Sequence, residues 1–269
     1  MKSGKKKQRN SSKKRLPLII TIVLAAILVA LLGYFGARYL KMKRAADAYK
    51  DLQKKATVTT DKDKDKDEGK TKHSKDFAAL QAENSDIYAW IHVPGTSVDY
   101  PVLMSPDDQP TDYYLMHNLD HSSGYPGCIF VDKGQAKDFT DFNTVVYGHN
   151  MNNGSMFASL HKFDDETFFK EHRTFTIETA DKLLTYTIFC TSKFDDRYIN
   201  HAYDFSTVDA RTAYINDLEA VRDMTSHVDS SVPVSTSDHL VTLSTCVKGA
   251  PDSRYLVVGV LTKEEDLAD

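Results

Sequence analysis

The apolar positions of this chain change their period three times, and each change predicts a different structure. From Leu16 to Ala37 no charged residue interrupts the run. At about 1.5 Å of rise per residue this makes about 30 Å of helix, enough to cross the hydrocarbon core of a bilayer. Pro17 stands at the start, where a missing N–H costs no helical bond, and Tyr34 and Phe35 suit an interface. A cleaved signal peptide is the alternative, but the run is long for one and no Ala-x-Ala site follows before Arg38. The sequence therefore predicts an uncleaved transmembrane anchor over residues 16–37. Lys41 to Lys55, rich in Ala, Lys and Asp, predicts continued helix. Thr57 to Lys72, with its Asp61-Lys-Asp-Lys-Asp-Lys-Asp-Glu68 run, has almost nothing apolar to bury and predicts a solvated spacer. A calcium loop starting at Asp61 would need Gly and Glu where Lys66 and Lys72 stand. Residues 38–73 thus read as an extracellular helix and charged linker, and residues 74–269 as the folded body.

Within the body, Ser74-Lys-Asp-Phe77-Ala-Ala-Leu80-Gln-Ala-Glu83 offers a plausible N-cap and an apolar Phe77/Leu80 spacing, so it reads as a short helix. An extended run from Asn84 is broken at Pro94-Gly95. Short β-branched or alternating runs then recur at residues 98–103, 127–131, 144–147, 174–178, 183–192, 239–246 and 255–262, the signature of a closed or nearly closed all-β body. One helical insertion is expected from Ser206 to Met224, with Ala210, Ala213, Tyr214, Leu218, Val221 and Met224 near one face.

Charge adds topology. The net charge of −4 argues against a dedicated nucleic-acid binder. Residues 2–15 nevertheless carry Lys2, Lys5, Lys6, Lys7, Arg9, Lys13, Lys14 and Arg15 and no acid. This basic tail, residues 1–15, is expected in the cytoplasm and the remainder outside, although Arg38, Lys41, Lys43 and Arg44 reduce the asymmetry.

The candidate chemistry lies in Leu240-Val-Thr-Leu-Ser-Thr-Cys246 and the run opened by Arg254, two strands joined by a short connection with Gly249 and Pro251. Alternation puts Val241, Leu243 and Thr245 on one face and Thr242, Ser244 and Cys246 on the other. A thiol at such a strand end can be a nucleophile, given a nearby base and a donor for the oxyanion, or simply a small apolar cap. Cys128 and Cys190 sit in apolar runs and read as core, and no Cys-x-x-Cys pair suggests zinc. Of the ten histidines, His239 shares a strand with Cys246 at about 23 Å, too far to reach it. His73 lies in the linker, and His161 and His172 fall in polar stretches expected to be solvated. His149 follows the apolar run Thr144–Tyr147 and Gly148, so it is a candidate base on spacing but not the only one.

Leu243-Ser-Thr-Cys246 with Arg254 opening the next strand resembles the sortase signature, and Thr242-Leu-Ser-Thr-Cys246 resembles its class B form. Thr144-Val-Val-Tyr-Gly-His149-Asn-Met fits the family's histidine motif, and the segment from Asp86 to Val102 is similar to the class B amino-terminal pattern. The resemblance spans roughly Phe77 to Thr262. It implies an eight-stranded sortase β-barrel with amino-terminal helices and a helix between strands six and seven. It implies a cysteine transpeptidase in which Cys246 is the nucleophile, His149 the acid and base, and Arg254 the stabiliser of substrate carbonyls and oxyanion. Leu115, within Tyr113-Tyr-Leu-Met, together with Ser244 and Thr245, is implied in substrate binding. The partners so implied are surface proteins with an NPxTN- or LPxTG-like sorting motif, and an acceptor amine of lipid II or peptidoglycan or, alternatively, a pilin lysine. This chemistry needs no metal and no organic cofactor. One position departs from the class B pattern: Val247 stands where an acidic residue often follows the cysteine. A hydrolytic cysteine peptidase and an inactive surface-binding module are the other readings. The chain order His, Cys, Arg and the Cys-to-Arg strand pair separate it from papain-like and caspase-like enzymes.

Overall fold

The computed structural model describes residues 15–57, 73–220 and 222–267; the greater part of the basic tail and of the charged spacer lies outside them. The molecule divides at Arg44 into an amino-terminal unit and a body that begins at Ala45. Helix α1 runs from Arg15 to Ala56. Its portion within the amino-terminal unit is long and apolar enough to cross a membrane, and Leu18, Ile22, Leu32 and Phe35 stand exposed there.

The body starts earlier than the charge pattern predicts. Tyr49, Leu52 and Ala56, at the end of α1, belong to its main core. Their i, i+3, i+7 spacing makes one apolar stripe between solvated Lys and Asp residues. The Tyr49 hydroxyl donates to the Gly127 carbonyl at 2.6 Å and Gln53 Nε2 to the Asp99 carbonyl at 2.6 Å. Helix α2 (Phe77–Glu83) buries Phe77 and Leu80 as expected, and its N-cap is Asp76, whose carboxylate accepts from Ala79 N–H. The Ser74 amide and hydroxyl both donate to the Glu178 carboxylate.

Nine strands follow among the described residues: β1 (Ile87–His92), β2 (Asp99–Met104), β3 (Ile129–Val131), β4 (Asn143–Tyr147), β5 (Thr174–Thr179), β6 (Lys182–Asp195), β7 (His227–Val228), β8 (Leu240–Val247) and β9 (Ala250–Asp266). The sheet order is β5-β1-β2-β3-β4-β8-β9-β6, and pairing of β5 with β6 closes these eight strands into a barrel. The two-residue β7 is an appendage on β6. The β2–β3 and β4–β8 pairs are parallel and the others antiparallel. Helices α3 (Glu166–Glu171), α4 (Ile199–Ala202) and α5 (Val208–Ala220) are insertions, the last two between the sixth and seventh barrel strands.

The two faces of the barrel wall bury different cores. Val146, Val241, Leu243 and Val257 point into the main core. Val145, Leu240, Leu256 and Val258 pack outward with Tyr214 and Leu218 of α5 in a second cluster. Burial on both faces fits a β8 that is buried from Leu240 to Thr245 and carries no charged residue along its length. Helix α5 is shorter than expected: it stops at Ala220, Ala213 is exposed, and Met224 is 94% exposed beyond its end. Tyr214 and Leu218 alone anchor it deeply, so four residues of spacing carry the face; Val221 lies outside the described residues.

Candidate active site

Register brings the three motif residues together. β4 and β8 pair in parallel with Tyr147 opposite Ser244. The same offset carried two residues further sets His149 beside Cys246. In the antiparallel β8–β9 pair, Cys246 lies directly opposite Arg254, a relation that puts the two Cβ atoms about 5 Å apart. Val145 and Tyr147 on β4, Leu240, Thr242 and Ser244 on β8, and Leu256, Val258 and Val260 on β9 form the outward rows, so His149, Cys246 and Arg254 all continue rows on the outward face. Two bonds tie the strand ends: the Thr245 hydroxyl donates to the Gly148 carbonyl at 2.8 Å, and Gly148 N–H donates to the Ser244 carbonyl at 3.1 Å. Gly148 is required by space, since a Cβ there would come within 2.5 Å of Ile129 Cδ1 and 2.7 Å of the Phe157 ring.

A cavity of about 170 Å³ is lined by Leu115, His149, Ser244, Thr245, Cys246 and Arg254, together with Phe130, Tyr147, Gly148 and the segment Asp196-Arg197-Tyr198. All six residues singled out from the sequence therefore share one cavity. A larger neighbouring cavity, about 700 Å³, is lined by Asp132, Asn143, Asn200 and Arg211 among others and carries no thiol.

The three cysteines separate by environment. Cys246 is exposed, whereas Cys128 and Cys190 are buried, and burial pushes each of their thiols up to about 12. Those two stay protonated and inert; only Cys246 is accessible. His149 is half-buried, packed against the Tyr125 ring at 4.9 Å. Its Nε2 lies 2.6 Å from the Leu115 carbonyl. A carbonyl can only accept, so Nε2 carries the proton and Nδ1 is the nitrogen left for proton exchange. Burial lowers the His149 pKa below its ordinary value, partly offset by the Leu115 contact. Arg254 spends Nη1 on the Pro251 and Ser253 carbonyls at 2.8 and 3.1 Å. These bonds do not use Nε or Nη2, so the guanidinium is anchored without exhausting its donors.

Four features of the site have no local signal in the sequence. Asn150 donates from Nδ2 to the Cys246 carbonyl at 2.8 Å. The Asp196–Tyr198 segment closes one side of the cavity. Tyr147 donates to buried Asp132, which Asn200 also bonds. The fourth is His161, expected to be solvated: it is half-buried, with Nε2 at 3.1 Å from the Cys246 carbonyl. Its ring stacks on Tyr255 at 4.8 Å. The contact joins segments 85 residues apart, which a local polarity pattern cannot reveal.

Comparison with known proteins agrees with this geometry. A model of the sortase domain matches residues 91–262. Sortase B of Listeria monocytogenes is 35% identical over 192 residues, covering 71% of this chain and 74% of that protein. Sortase B of Staphylococcus aureus is 28% identical over 261 residues, covering 93% and 98%. The crystal structure of Clostridium perfringens sortase B superposes with a TM-score of 0.62 at 29% identity, over 70% of this chain and all of that one. Sortase B from B. anthracis gives 0.63 at 29% identity, over 87% and 99%. The barrel, the family match and these relatives together establish that this chain belongs to the sortase family, among its class B members.

Proposed function

We propose that this sortase is a membrane-anchored cysteine transpeptidase that cleaves a carboxy-terminal sorting motif after Thr and joins the protein to a cell-wall amine. The observation that carries the reading is the exposed Cys246 opposite Arg254, with His149 on the adjoining strand end and all three lining one cavity. The Cys246 thiolate attacks the Thr carbonyl carbon, and a C–S bond forms as the carbonyl becomes an oxyanion. The Arg254 guanidinium faces that oxyanion. Collapse breaks the C–N bond, and the departing amine takes a proton from His149 Nδ1. An acceptor amine then attacks the thioester and gives its proton to His149, and the C–S bond breaks to restore the thiolate. Leu115, Ser244 and Thr245 wall the peptide.

The apolar part of α1 supports a single-pass anchor, and the basic residues before it support a cytoplasmic amino-terminus with the catalytic body outside. The substrates would be surface proteins with an NPxTN- or LPxTG-like motif, and the acceptor an amine of lipid II or peptidoglycan. Mass spectrometry of the enzyme mixed with sorting peptides tests the reading. A thioester should appear on Cys246, vanish when an amine is added, and give the transfer product. Hydrolysis unaffected by amine, or an adduct on Cys128 or Cys190, would overturn it. Protease added to wall-stripped cells tests the topology: it should remove the body and spare the basic tail.

A further inference from the structure

The carbonyl of the candidate nucleophile is held by two side chains. Asn150 Nδ2 and His161 Nε2 approach the Cys246 oxygen at 2.8 and 3.1 Å. His161 sits on a 3-10 turn, Ala158–Asp164, and its other nitrogen, Nδ1, lies 3.3 Å from the Asp164 carboxylate. Both ring nitrogens thus face groups that only accept. A neutral imidazole has one N–H, so it would leave a lone pair against one of those oxygens; the doubly protonated ring satisfies both. The ring is fixed in place by stacking on Tyr255.

We infer that His161 is a positioning residue for Cys246: as an imidazolium held by Asp164, it clamps the end of β8 so that the thiol is presented at a fixed place in the cavity. The clamp has a structural reason. Regular β8–β9 pairing ends at Cys246, where the register shifts before Val247 pairs with Ala250, so the ladder no longer fixes this peptide. The Val247 side chain is apolar, and Asn150 beyond β4 and His161 on the 3-10 turn supply the bonds instead. The charges around the ring favour the protonated form. The Asp164 bond raises the His161 pKa most, burial opposes it, the Cys246 carbonyl raises it, and Lys193 on β6 opposes it. Tyr255 on β9 presents its ring, and His227 bonds the Asp164 backbone carbonyl and not its carboxylate.

This inference rests on the transpeptidase reading for its kinetic readout, so the test includes one measurement that does not. Full-length wild type, His161→Ala, His161→Gln and Asp164→Asn would be compared by thioester-forming turnover across pH, with active molecules counted by Cys246 labelling. We expect His161→Ala to lower kcat about ten-fold with KM within about two-fold, the effect of losing one charged hydrogen bond that holds the backbone carrying the nucleophile. Wild type should lose turnover as pH rises through the elevated His161 pKa. His161→Gln, an uncharged donor, should recover part of the loss and lack that alkaline limb. Asp164→Asn should shift the limb to lower pH. In parallel, iodoacetamide alkylation of Cys246 should change in rate in His161→Ala, whatever the natural substrate is. Wild-type kcat and alkylation in a folded His161→Ala, or an unchanged pH profile in His161→Gln, would overturn the role. If wild type formed no thioester while alkylation still differed, the reaction reading would fall and the positioning role would stand.

Discussion

His149 Nε2 lies 2.6 Å from the backbone carbonyl of Leu115, so the last residue of the 3-10 turn Tyr113–Leu115, between β2 and β3, sets the tautomer of the candidate acid and base. Burial lowers the pKa of this ring, while the Asp164 bond raises that of His161. The two histidines should therefore change stability in opposite directions. A depressed folded pKa means that the unfolded chain binds the proton more readily. The His149 contribution is then fully present above about pH 6.5 and is lost as pH falls toward the folded pKa. An elevated folded pKa reverses this: the His161 contribution is present below about 6.5 and is lost as pH rises through the folded value. Melting temperatures from pH 4 to 9 check both. His149→Gln should shallow the acid-side decline, and His161→Gln should remove an alkaline-side one.

Arg254→Lys should fail despite keeping the charge. Arg254 spends Nη1 on two carbonyls of its own turn, and a lysine ammonium cannot hold that anchor and still present a planar pair of donors to substrate. Thioester formation should fall about 10²–10³-fold, the usual cost of losing an oxyanion donor. Single-turnover mass spectrometry measures it, and a variant within a few-fold of wild type would remove Arg254 from the chemistry.

Gly148→Ala should cost both fold and function. The added methyl would meet Ile129 Cδ1 at 2.5 Å and Phe157 at 2.7 Å. Overpacking of this kind costs about 1–3 kcal/mol, and relief would shift the peptide that carries His149. Thermal unfolding together with turnover per folded molecule should show a loss of activity beyond the loss of folded protein.

Leu115→Ala should separate binding from folding. The contact to His149 uses the Leu115 backbone and survives the substitution, whereas the side chain is only partly buried at the cavity. We expect KM for a sorting peptide to rise, with a stability loss below the about 2–5 kcal/mol of a fully buried leucine. A large melting shift with normal kinetics per folded molecule would make Leu115 purely structural.

A chain beginning at Ser74 should be less stable than one beginning at Ala45. It would lose Tyr49, Leu52 and Ala56 from the core and the Tyr49 bond to the Gly127 carbonyl. Removing one buried side chain of this size costs about 2–5 kcal/mol, so the shorter chain should unfold at clearly lower denaturant. Equal midpoints would mean that the end of α1 adds nothing to the body.

The sequence by itself determined what local periodicity and local motifs can carry. An unbroken apolar run is a membrane-length helix whatever surrounds it. Alternating runs are strands because one residue in two must face each side of a wall. Cys246, Arg254 and His149 were legible because each stands at a strand end within a contiguous motif, and strand register then sets all three on one face. Tertiary structure alone decided which polar-looking residues are buried. Tyr49, Leu52 and Ala56 lie in a segment dominated by Lys and Asp, and they became core only because the barrel offers an apolar surface to that one stripe. Likewise, His161 looks solvated among Lys162, Asp164 and Asp165. It reaches Cys246 because barrel closure brings together segments 85 residues apart, and no pattern along the chain encodes a distance between strands that meet only when the sheet closes.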